Sequence, residues 1–308
     1  MQDYIVTVYC TAFNHGKYIR KTLEGFVTQK TTFPFRVIVH DDASTDDTRA
    51  IIEEYAQKYP DLIYPILQEE NQYSQRVDIY KTFVMPLIQS KYTALCEGDD
   101  YWCDPDKLQL QIDYMQQHPN CSLCVHNTEL IYESGESKGI LMNNDQDKPL
   151  TTEQIIEAGG GSLFHTSSFV FKTEIRNQKP KEFSINRVGD YPLAMYLAMH
   201  GDVYYIGRVM SRYRIGSTGS WVKKVSSNKE LLAAQTEREL QDLDRIDALS
   251  EHKYHESFLI AKKRSQYRTY LKFGKLGKIF RDPVMRGFFR ENTFLQKCKI
   301  LVKAILRR

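Results

Sequence analysis

The first hundred residues alternate short apolar segments with helix-forming ones, and this alternation restricts the possible fold more than any other feature of the chain. Four segments rich in β-branched and aromatic residues are predicted strands, at residues 5–10, 35–40, 62–67 and 92–96. Three segments between them are predicted helices, at residues 19–27, 48–56 and 77–88. Because strand–helix–strand crossovers are right-handed, the pattern predicts an α/β fold with a doubly wound, mainly parallel sheet.

Polar loops follow three of these strands, at residues 11–16, 41–47 and 97–102. The carboxyl ends of parallel strands share one edge of the sheet, where open α/β sheets bind their ligands. Two loops begin with acids, namely Asp41, Asp42, Glu97, Asp99 and Asp100. The three carboxylates after the fourth strand repel one another, so they suit a hard divalent cation or a metal–polyphosphate complex. The alternative is a solvated turn before a helix, which would explain Asp104 as a cap but none of the other acids.

Composition excludes several classes of protein. No segment approaches the roughly 20 apolar residues of a membrane span, and the N-terminus lacks the basic flank and apolar stretch of a signal peptide. The six cysteines are scattered, as in a reducing compartment, and we therefore predict a cytoplasmic protein. Cys121 and Cys124 lie between two histidines and superficially resemble a zinc site. No second pair follows, so a buried strand is the favoured interpretation.

The formal net charge of +3 hides an asymmetry. Residues 252–308 contain 16 Lys and Arg against 3 Asp and Glu, whereas the rest of the chain is acidic. A nucleic-acid enzyme would surround its cleft with basic residues, so we predict no nucleic-acid partner; the basic tail instead suggests an electrostatic anchor. The glycine motifs GxGxxG and GxxxxGK[ST] do not occur. We therefore expect phosphate to be bound through a cation.

Three motifs in this order resemble the family 2 glycosyltransferases of bacterial surface-polysaccharide synthesis. They are TAFNH from Thr11, with Tyr18, Ile19, Thr22 and Leu23; VIVHDDASTDDT from Val37; and EGDDYW from Glu97, with Asp106, Lys107, Leu108 and Gln111. The resemblance implies a GT-A fold and a nucleoside-diphosphate sugar as donor, with a UDP-sugar as the first candidate. It also implies a Mg or Mn ion as cofactor and inversion at the anomeric carbon.

The same resemblance implies roles for individual residues. The implied donor-binding set is Thr11, Ala12, Asn14, Asp41, Asp42, Glu97, Gly98, Asp99 and Trp221. Within it, Thr11 and Ala12 would line the nucleoside pocket, Asp41 would contact the base, and Asp42 would support the loop. Glu97, Gly98 and Asp99 stand where the family has its DXD motif, and Asp99 is the implied metal ligand.

Two positions depart from the family pattern. Glu97 replaces the first Asp of the DXD motif, which lengthens the side chain by one methylene and changes its reach toward a ribose. Many relatives carry a His after the matching Tyr213 and Arg214, whereas this chain has Ile215. We therefore expect the ion to have one protein ligand fewer.

Asp190 is the candidate catalytic base. The family places its catalytic carboxylate at the start of a helix, usually as Glu-Asp, and here Gly189 and Asp190 occupy that position. The alternative is that Asp190 is only the N-cap of the helix.

The second half of the chain is less regular. Residues 130–149 are expected to form a loop or hairpin. A helix is predicted at 151–156, and strands are predicted at 167–171, 203–206 and 209–214. The glycines at 159–161 form either a turn or a loop that faces the sugar or acceptor. We predict a nucleotide-sugar-binding and catalytic domain in residues 1–228 and a helical, basic C-terminal extension in residues 229–308.

Apolar residues alternate with Lys and Arg in residues 280–308, which is typical of interfacial helices. One interpretation is peripheral contact with the inner face of a membrane. The other is a helix packed on the catalytic domain with its basic face in water.

The leading hypothesis is metal-dependent, inverting transfer of a sugar from a nucleoside diphosphate to a hydroxyl of a glycan or lipid-linked acceptor. A cation at Asp99 would stabilise the leaving diphosphate while Asp190 accepts the proton of the acceptor. A nucleotidyltransferase on a similar sheet is one alternative, but its phosphate clamp would have only His15 and Lys17 in the first loop. The other is a non-catalytic protein that binds sugar nucleotides, which Gly189 in place of Glu leaves open.

Overall fold

A computed structural model describes residues 4–142, 145–160, 163–185, 188–216 and 228–305, and it divides into two units. The first unit comprises residues 1–151, 161–179 and 196–217. The second comprises residues 152–160, 180–195 and 218–308. The domain boundary at residue 228 stays a prediction, and two earlier segments join the helices that follow it in the second unit.

The described strands form one sheet. They are β1 (Val6–Ala12), β2 (Phe35–Asp41), β3 (Ile63–Leu67), β4 (Tyr92–Glu97), β5 (Tyr101–Trp102), β6 (Cys121–Tyr132), β7 (Ser137–Ile140), β8 (Lys148–Leu150), β9 (Val170–Lys172) and β10 (Asp202–Ile215). Their order is β3-β2-β1-β4-β9-β6-β10-β5, with β7 beside β6 and β8 beside β10. Strands β1 to β4 are parallel, β9 is antiparallel to both its neighbours, and β10 is parallel to β6. The predicted α/β fold with a mainly parallel sheet is confirmed.

The α-helices are α1 (Ile19–Val27), α2 (Thr48–Lys58), α3 (Lys107–Gln117), α4 (Thr152–Ala158), α5 (Thr173–Gln178), α6 (Asp190–Met199), α7 (Lys229–Leu249), α8 (His255–Phe273), α9 (Leu276–Arg281), α10 (Pro283–Glu291) and α11 (Phe294–Ile305). Helix α1 buries Ile19, Leu23 and Phe26, the apolar stripe that its spacing predicts. Gly25 lets this helix approach β5 closely, because a Cβ there would lie 2.7 Å from the carbonyl oxygen of Trp102.

Three segments differ from their prediction. Residues 77–88 form a π-helical turn (Tyr80–Val84) and a 3₁₀ turn (Met85–Leu87), because Pro86 has no N–H to continue an α-helical ladder. Residues 166–168 form a 3₁₀ turn before the short β9, and Trp102 Nε1 donates to the Ser167 carbonyl at 2.9 Å. The two strands predicted at 203–206 and 209–214 are one strand, β10, with register shifts between them.

Other predictions in this half are confirmed. Cys121 and Cys124 are buried in β6, and residues 130–149 contain the hairpin between β6 and β7. Helix α4 lies where residues 151–156 predicted a helix.

The second unit has an apolar cluster of its own, formed by Tyr267, Ile279, Met285 and Phe288. Helix α8 also holds α4 through hydrogen bonds: Arg264 Nε donates to the Glu157 carbonyl and Arg268 Nη1 to the Gly159 carbonyl, each at 2.7 Å. Among the helices that the structure describes, none combines the length and the apolar character needed to cross a membrane.

Candidate active site

Strands β1, β2 and β4 are neighbours in register, so the loops that follow them meet at one edge of the sheet. Thr11 lies beside His40 on one side and Glu97 on the other. Two backbone hydrogen bonds join the loops: Asp42 N–H donates to the Ala12 carbonyl at 3.0 Å, and Gly98 N–H donates to the Thr11 carbonyl at 2.8 Å. The structure therefore brings together all three predicted loops.

Both carboxylates of the second loop are buried and accept hydrogen bonds from the chain itself. Asp41 accepts from the hydroxyl of Ser44 and from the Ser44 N–H at 3.2 Å. Asp42 accepts from the N–H of Gln72 at 2.7 Å and of Tyr73 at 3.1 Å. Asp42 therefore anchors the segment that follows β3. The implied contact of Asp41 with a base and the role of Asp42 in donor binding stay predictions.

Asn14 joins the first loop to the second. Its Oδ1 accepts from the Thr45 N–H at 2.8 Å, and its own N–H donates to Ser44 Oγ at 2.8 Å. The φ of Asn14 is 55°, a left-handed conformation that Asn adopts more readily than most residues. The residue thus sets the shape of the loops that are predicted to hold the nucleoside.

Gly98 lies where the turn after β4 packs closely against the loop after β1 and against helix α1. A Cβ at this position would lie 2.8 Å from His15 Nδ1 and 3.0 Å from the Thr11 carbonyl oxygen. Thr22 Oγ1 from α1 donates to the Gly98 carbonyl at 3.0 Å. A side chain at position 98 would therefore displace the turn that carries the three acids.

The carboxylate of Asp100 is completely buried. Its Oδ1 accepts from the Arg214 N–H at 2.9 Å, whereas its Oδ2 has no hydrogen-bond partner among the described residues. Burial raises the pKa of Asp100 well above its ordinary value, and the charges of Asp99 and Glu97 act in the same direction. A buried carboxylate with an unpartnered oxygen is costly unless a proton or a cation neutralises it.

His165 lies beside that oxygen. Its Nδ1 is 3.5 Å from Asp100 Oδ2, its Nε2 is 3.9 Å from Glu97 Oε2, and its ring stacks on Tyr213 with centroids 3.9 Å apart. Sequence reasoning missed His165 because it is far along the chain from the acidic loop and belongs to none of the three motifs. The 3₁₀ turn that follows it packs against β4, β6 and β10, and this packing brings His165 to the edge.

Glu97, Asp100 and His165 could together hold a metal ion, since one ligand atom from each lies within 4.8 Å of the others. Carboxylates suit Mg²⁺ and Mn²⁺, and the unpartnered Oδ2 of Asp100 supplies the unsatisfied acceptor that such an ion needs. The residues therefore fit a divalent cation. Asp99 belongs to the same turn but not to this group, so its assignment as the ligand stays a prediction.

Arg214 adds a positive charge beside the acidic turn. Its Nε donates to the Asp99 carbonyl at 3.0 Å, and its guanidinium lies over the ring of Tyr18 at 4.6 Å from the centroid. Arg214 is 9% exposed, so little of the residue reaches solvent.

The other two predicted site residues are Asp190 and Trp221. Asp190 opens α6 and belongs to the second unit, where its Oδ1 accepts from the Tyr191 N–H at 2.8 Å. That contact is compatible with a helix cap, and the catalytic role stays a prediction. Trp221 lies outside the described residues, as do Gly161 and Ser162.

The model of the family described as glycosyl transferase family 2 matches residues 7–176, more than half of the chain. The chain therefore belongs to glycosyl transferase family 2. The family resemblance of the three motifs is confirmed.

Relatives with curated sequences match most of this chain but a smaller part of their own length. An uncharacterised protein of Mycobacterium tuberculosis is 33% identical over 219 residues, which cover 70% of this chain and 60% of that protein. A chondroitin synthase of Escherichia coli is 23% identical over 226 residues, which cover 73% of this chain and 31% of that protein. The chain thus spans 60% or less of these two relatives.

Two solved structures share the fold. S. aureus TarS, residues 1–349, in complex with UDP-GlcNAc, superposes with a TM-score of 0.55 at 15% identity, covering 88% of this chain and 80% of that chain. The mannosyltransferase PcManGT from Pyrobaculum calidifontis, in complex with GDP-Man and Mn²⁺, has a TM-score of 0.52 at 13% identity, covering 100% and 88%. At these identities the likeness concerns the fold, and the predicted GT-A fold is confirmed.

Proposed function

We propose that the chain transfers a sugar, with inversion at the anomeric carbon, from a nucleoside diphosphate to a hydroxyl of a glycan or lipid-linked acceptor. The observation that carries the proposal is the convergence of Glu97, Asp100 and His165 at the edge where the loops after β1, β2 and β4 meet. The complexes of the two similar folds, with UDP-GlcNAc and with GDP-Man, support a nucleoside-diphosphate sugar as donor. A UDP-sugar is the first candidate, and the similarity to a chondroitin synthase supports a polysaccharide as the product.

The three loops have different tasks in this proposal. Residues 11–16 and 41–47 hold the nucleoside, since Asn14 and Ser44 connect them into one surface beside the buried Asp41. Glu97, Asp100 and His165, with Asp99 in the same turn, hold Mg²⁺ or Mn²⁺. When bound there, the cation neutralises the negative charge that develops on the leaving diphosphate. The guanidinium of Arg214 adds fixed positive charge to the same turn.

Asp190 is the proposed general base, which takes the proton of the acceptor hydroxyl. In Asp190→Asn the helix start keeps its cap, because Asn caps helices about as well as Asp, whereas proton abstraction is lost. We expect donor affinity to be kept and turnover to fall by about 10²–10⁴-fold, the usual contribution of a positioned base. Glycosyl transfer and donor affinity are measured on the same variant, with Asp190→Ala as the stability control.

Two outcomes would contradict the proposal in different ways. Full activity of Asp190→Asn would remove this residue from the mechanism and leave transfer itself intact. Tight, Mn²⁺-dependent donor binding by the parent protein, with no transfer to any acceptor, would instead favour a non-catalytic protein that binds sugar nucleotides.

Helix α11 supports a peripheral membrane contact as a further part of the proposal. Helix α10 buries Met285 and Phe288, but α11 leaves Phe294 78% and Leu295 70% exposed, and it carries basic residues. An amphipathic basic helix with bare apolar residues suits the surface of an anionic bilayer. We therefore propose that the protein acts in the cytoplasm, at the inner face of the membrane, where it would meet a lipid-linked acceptor.

The membrane contact is tested with vesicles. The parent protein should sediment with vesicles that contain anionic phospholipid. Added salt should release it, because each basic residue near such a surface contributes about 1 kcal/mol. The change Phe294→Ser with Leu295→Ser should also release it, because it removes the exposed apolar side chains of α11. Neutral vesicles are the control. Vesicle binding that is unchanged by salt and by the double substitution would refute this part of the proposal.

A further inference from the structure

A second cluster of metal-ligating side chains lies in the second unit, where α7 ends and α8 begins. Asp247 is in the last turn of α7, His255 is the first residue of α8, and His252 is in the connection between them. The carboxylate Oδ2 of Asp247 is 3.0 Å from His252 Nδ1 and 2.6 Å from His255 Nδ1. One carboxylate oxygen thus contacts two imidazoles.

The other oxygen of this carboxylate is unsatisfied. The side chain of Asp247 is 3% exposed, and its Oδ1 has no hydrogen-bond partner among the described residues. Two hydrogen bonds from histidines account for Oδ2 but leave Oδ1 buried and bare, which costs about 1–3 kcal/mol in a purely hydrogen-bonded cluster. The cluster therefore lacks a partner for a buried acceptor.

We propose that Asp247, His252 and His255 bind a transition-metal ion of the zinc type, which joins the end of α7 to the start of α8. One ligand atom from each of the three residues lies within 4.8 Å of the others. Two imidazoles and one carboxylate are a donor set that suits Zn²⁺ and related ions better than Mg²⁺. Water would complete the coordination, and Oδ1 of Asp247 could bind the ion or accept a hydrogen bond from that water.

The side chains can reach the required geometry. In a tetrahedral site with bonds of about 2.0–2.1 Å, ligand atoms lie about 3.3 Å apart, so both Nδ1 atoms must move away from Oδ2 by less than 1 Å. The histidine side chains are 63% and 48% exposed, and they are free to make this shift. Each ring would bind the ion through Nδ1 and carry its proton on Nε2, which solvent can reach.

The test uses the full chain with the change His165→Gln, which removes the histidine of the cluster at the sheet edge. This variant should bind one zinc ion per chain from zinc chloride, and the bound ion should raise the unfolding temperature. Magnesium chloride should do neither. Cobalt chloride should produce the visible absorption of a nitrogen- and oxygen-ligated ion. Adding His252→Gln and His255→Gln should weaken zinc binding by more than about 100-fold, because even the loss of an outer-shell contact costs 10–100-fold.

The matched control changes two other histidines, His118→Gln and His200→Gln, whose Nδ1 atoms contact the carbonyls of Tyr114 and Tyr196. Zinc binding should be unaffected by this pair. Absence of zinc binding, or equal binding with and without His252 and His255, would overturn the proposal and leave a hydrogen-bonded helix connection. If the double variant does not fold, His252→Gln alone decides between these outcomes, since that side chain is mostly exposed.

Discussion

The acidic residues at the ends of β2 and β4 look alike in sequence but differ in how the structure satisfies them. Asp41 and Asp42 accept hydrogen bonds from Ser44, Gln72 and Tyr73, so their negative charge is stabilised within the chain. Asp100 is equally buried, yet one of its oxygens has no hydrogen-bond partner among the described residues and faces His165. Asp41 and Asp42 therefore build a loop, whereas Asp100 leaves charge for a ligand to neutralise.

The difference shows that burial of an acid is not by itself a sign of function. A buried carboxylate that is fully hydrogen-bonded contributes to the fold, whereas one with a bare oxygen reduces stability until something binds. Removing a satisfied acid at the end of β2 should therefore mainly lower stability, whereas removing the unsatisfied acid after β4 should mainly lower activity.

The largest effect is expected from Asp100→Asn. The Asn side chain can still accept from the Arg214 N–H, and it removes a charge whose burial is costly, so the free energy of unfolding should not decrease. Loss of the carboxylate should lower kcat/KM with Mn²⁺ by about 10³-fold, because charge stabilisation by a bound cation is worth several kcal/mol.

The comparison fails if Asp100→Asn keeps its activity or if Asp42→Asn loses its Mn²⁺ dependence instead. Activity is measured against Mn²⁺ concentration for both variants, and urea unfolding is measured on the same preparations. Asp42→Asn is the matched control, since it removes a buried carboxylate from the neighbouring loop.

A smaller effect, of the opposite kind, is expected from Asp42→Ala. The change leaves the N–H groups of Gln72 and Tyr73 without their acceptor, and each unsatisfied buried group costs about 1–3 kcal/mol. The free energy of unfolding should fall by about 3 kcal/mol. Urea denaturation gives this value, and a loss below the experimental error would show that the segment after β3 does not depend on Asp42.

The smallest effect is expected at Lys107, the buried lysine with which α3 begins after the acidic turn of β4. Lys107 is fully buried over the ring of Trp102, its Nζ has no hydrogen-bond partner among the described residues, and burial lowers its pKa to about 7, against the opposing effect of the Cys96 and Cys124 thiols. The unfolded chain keeps its lysine proton to an ordinary pKa near 10.4. Above pH 7 the unfolded state therefore binds more protons, and stability rises with pH.

Lys107→Met removes this dependence. The variant should be more stable than the parent near pH 7, and its advantage should shrink by up to about 1.4 kcal/mol for each pH unit between 7 and 9. Urea unfolding at three pH values measures the difference. Parallel stability profiles for the two proteins would show that the lysine does not titrate in this range.

Much of the fold could be predicted from the sequence because its signals are local. The β-branched segments and the apolar spacing in α1 predict the parallel strands and the first crossover, since side-chain periodicity is a property of neighbouring residues. The helix predicted at 77–88 was wrong in type because a single proline interrupts its hydrogen bonds. The strands near 203–214 were separated in the prediction, since a bulge cannot be distinguished from a turn without its partner strand.

The candidate site divides in the same way. The sequence by itself determined that polar and acidic loops follow β1, β2 and β4, because position at the end of a strand is a local property. Only the tertiary structure decided which acids are satisfied, that His165 stands beside Asp100, and that Arg214 lies against the acidic turn. Those contacts join residues far apart in the chain, and they depend on strand order and packing, which no local pattern of residues specifies.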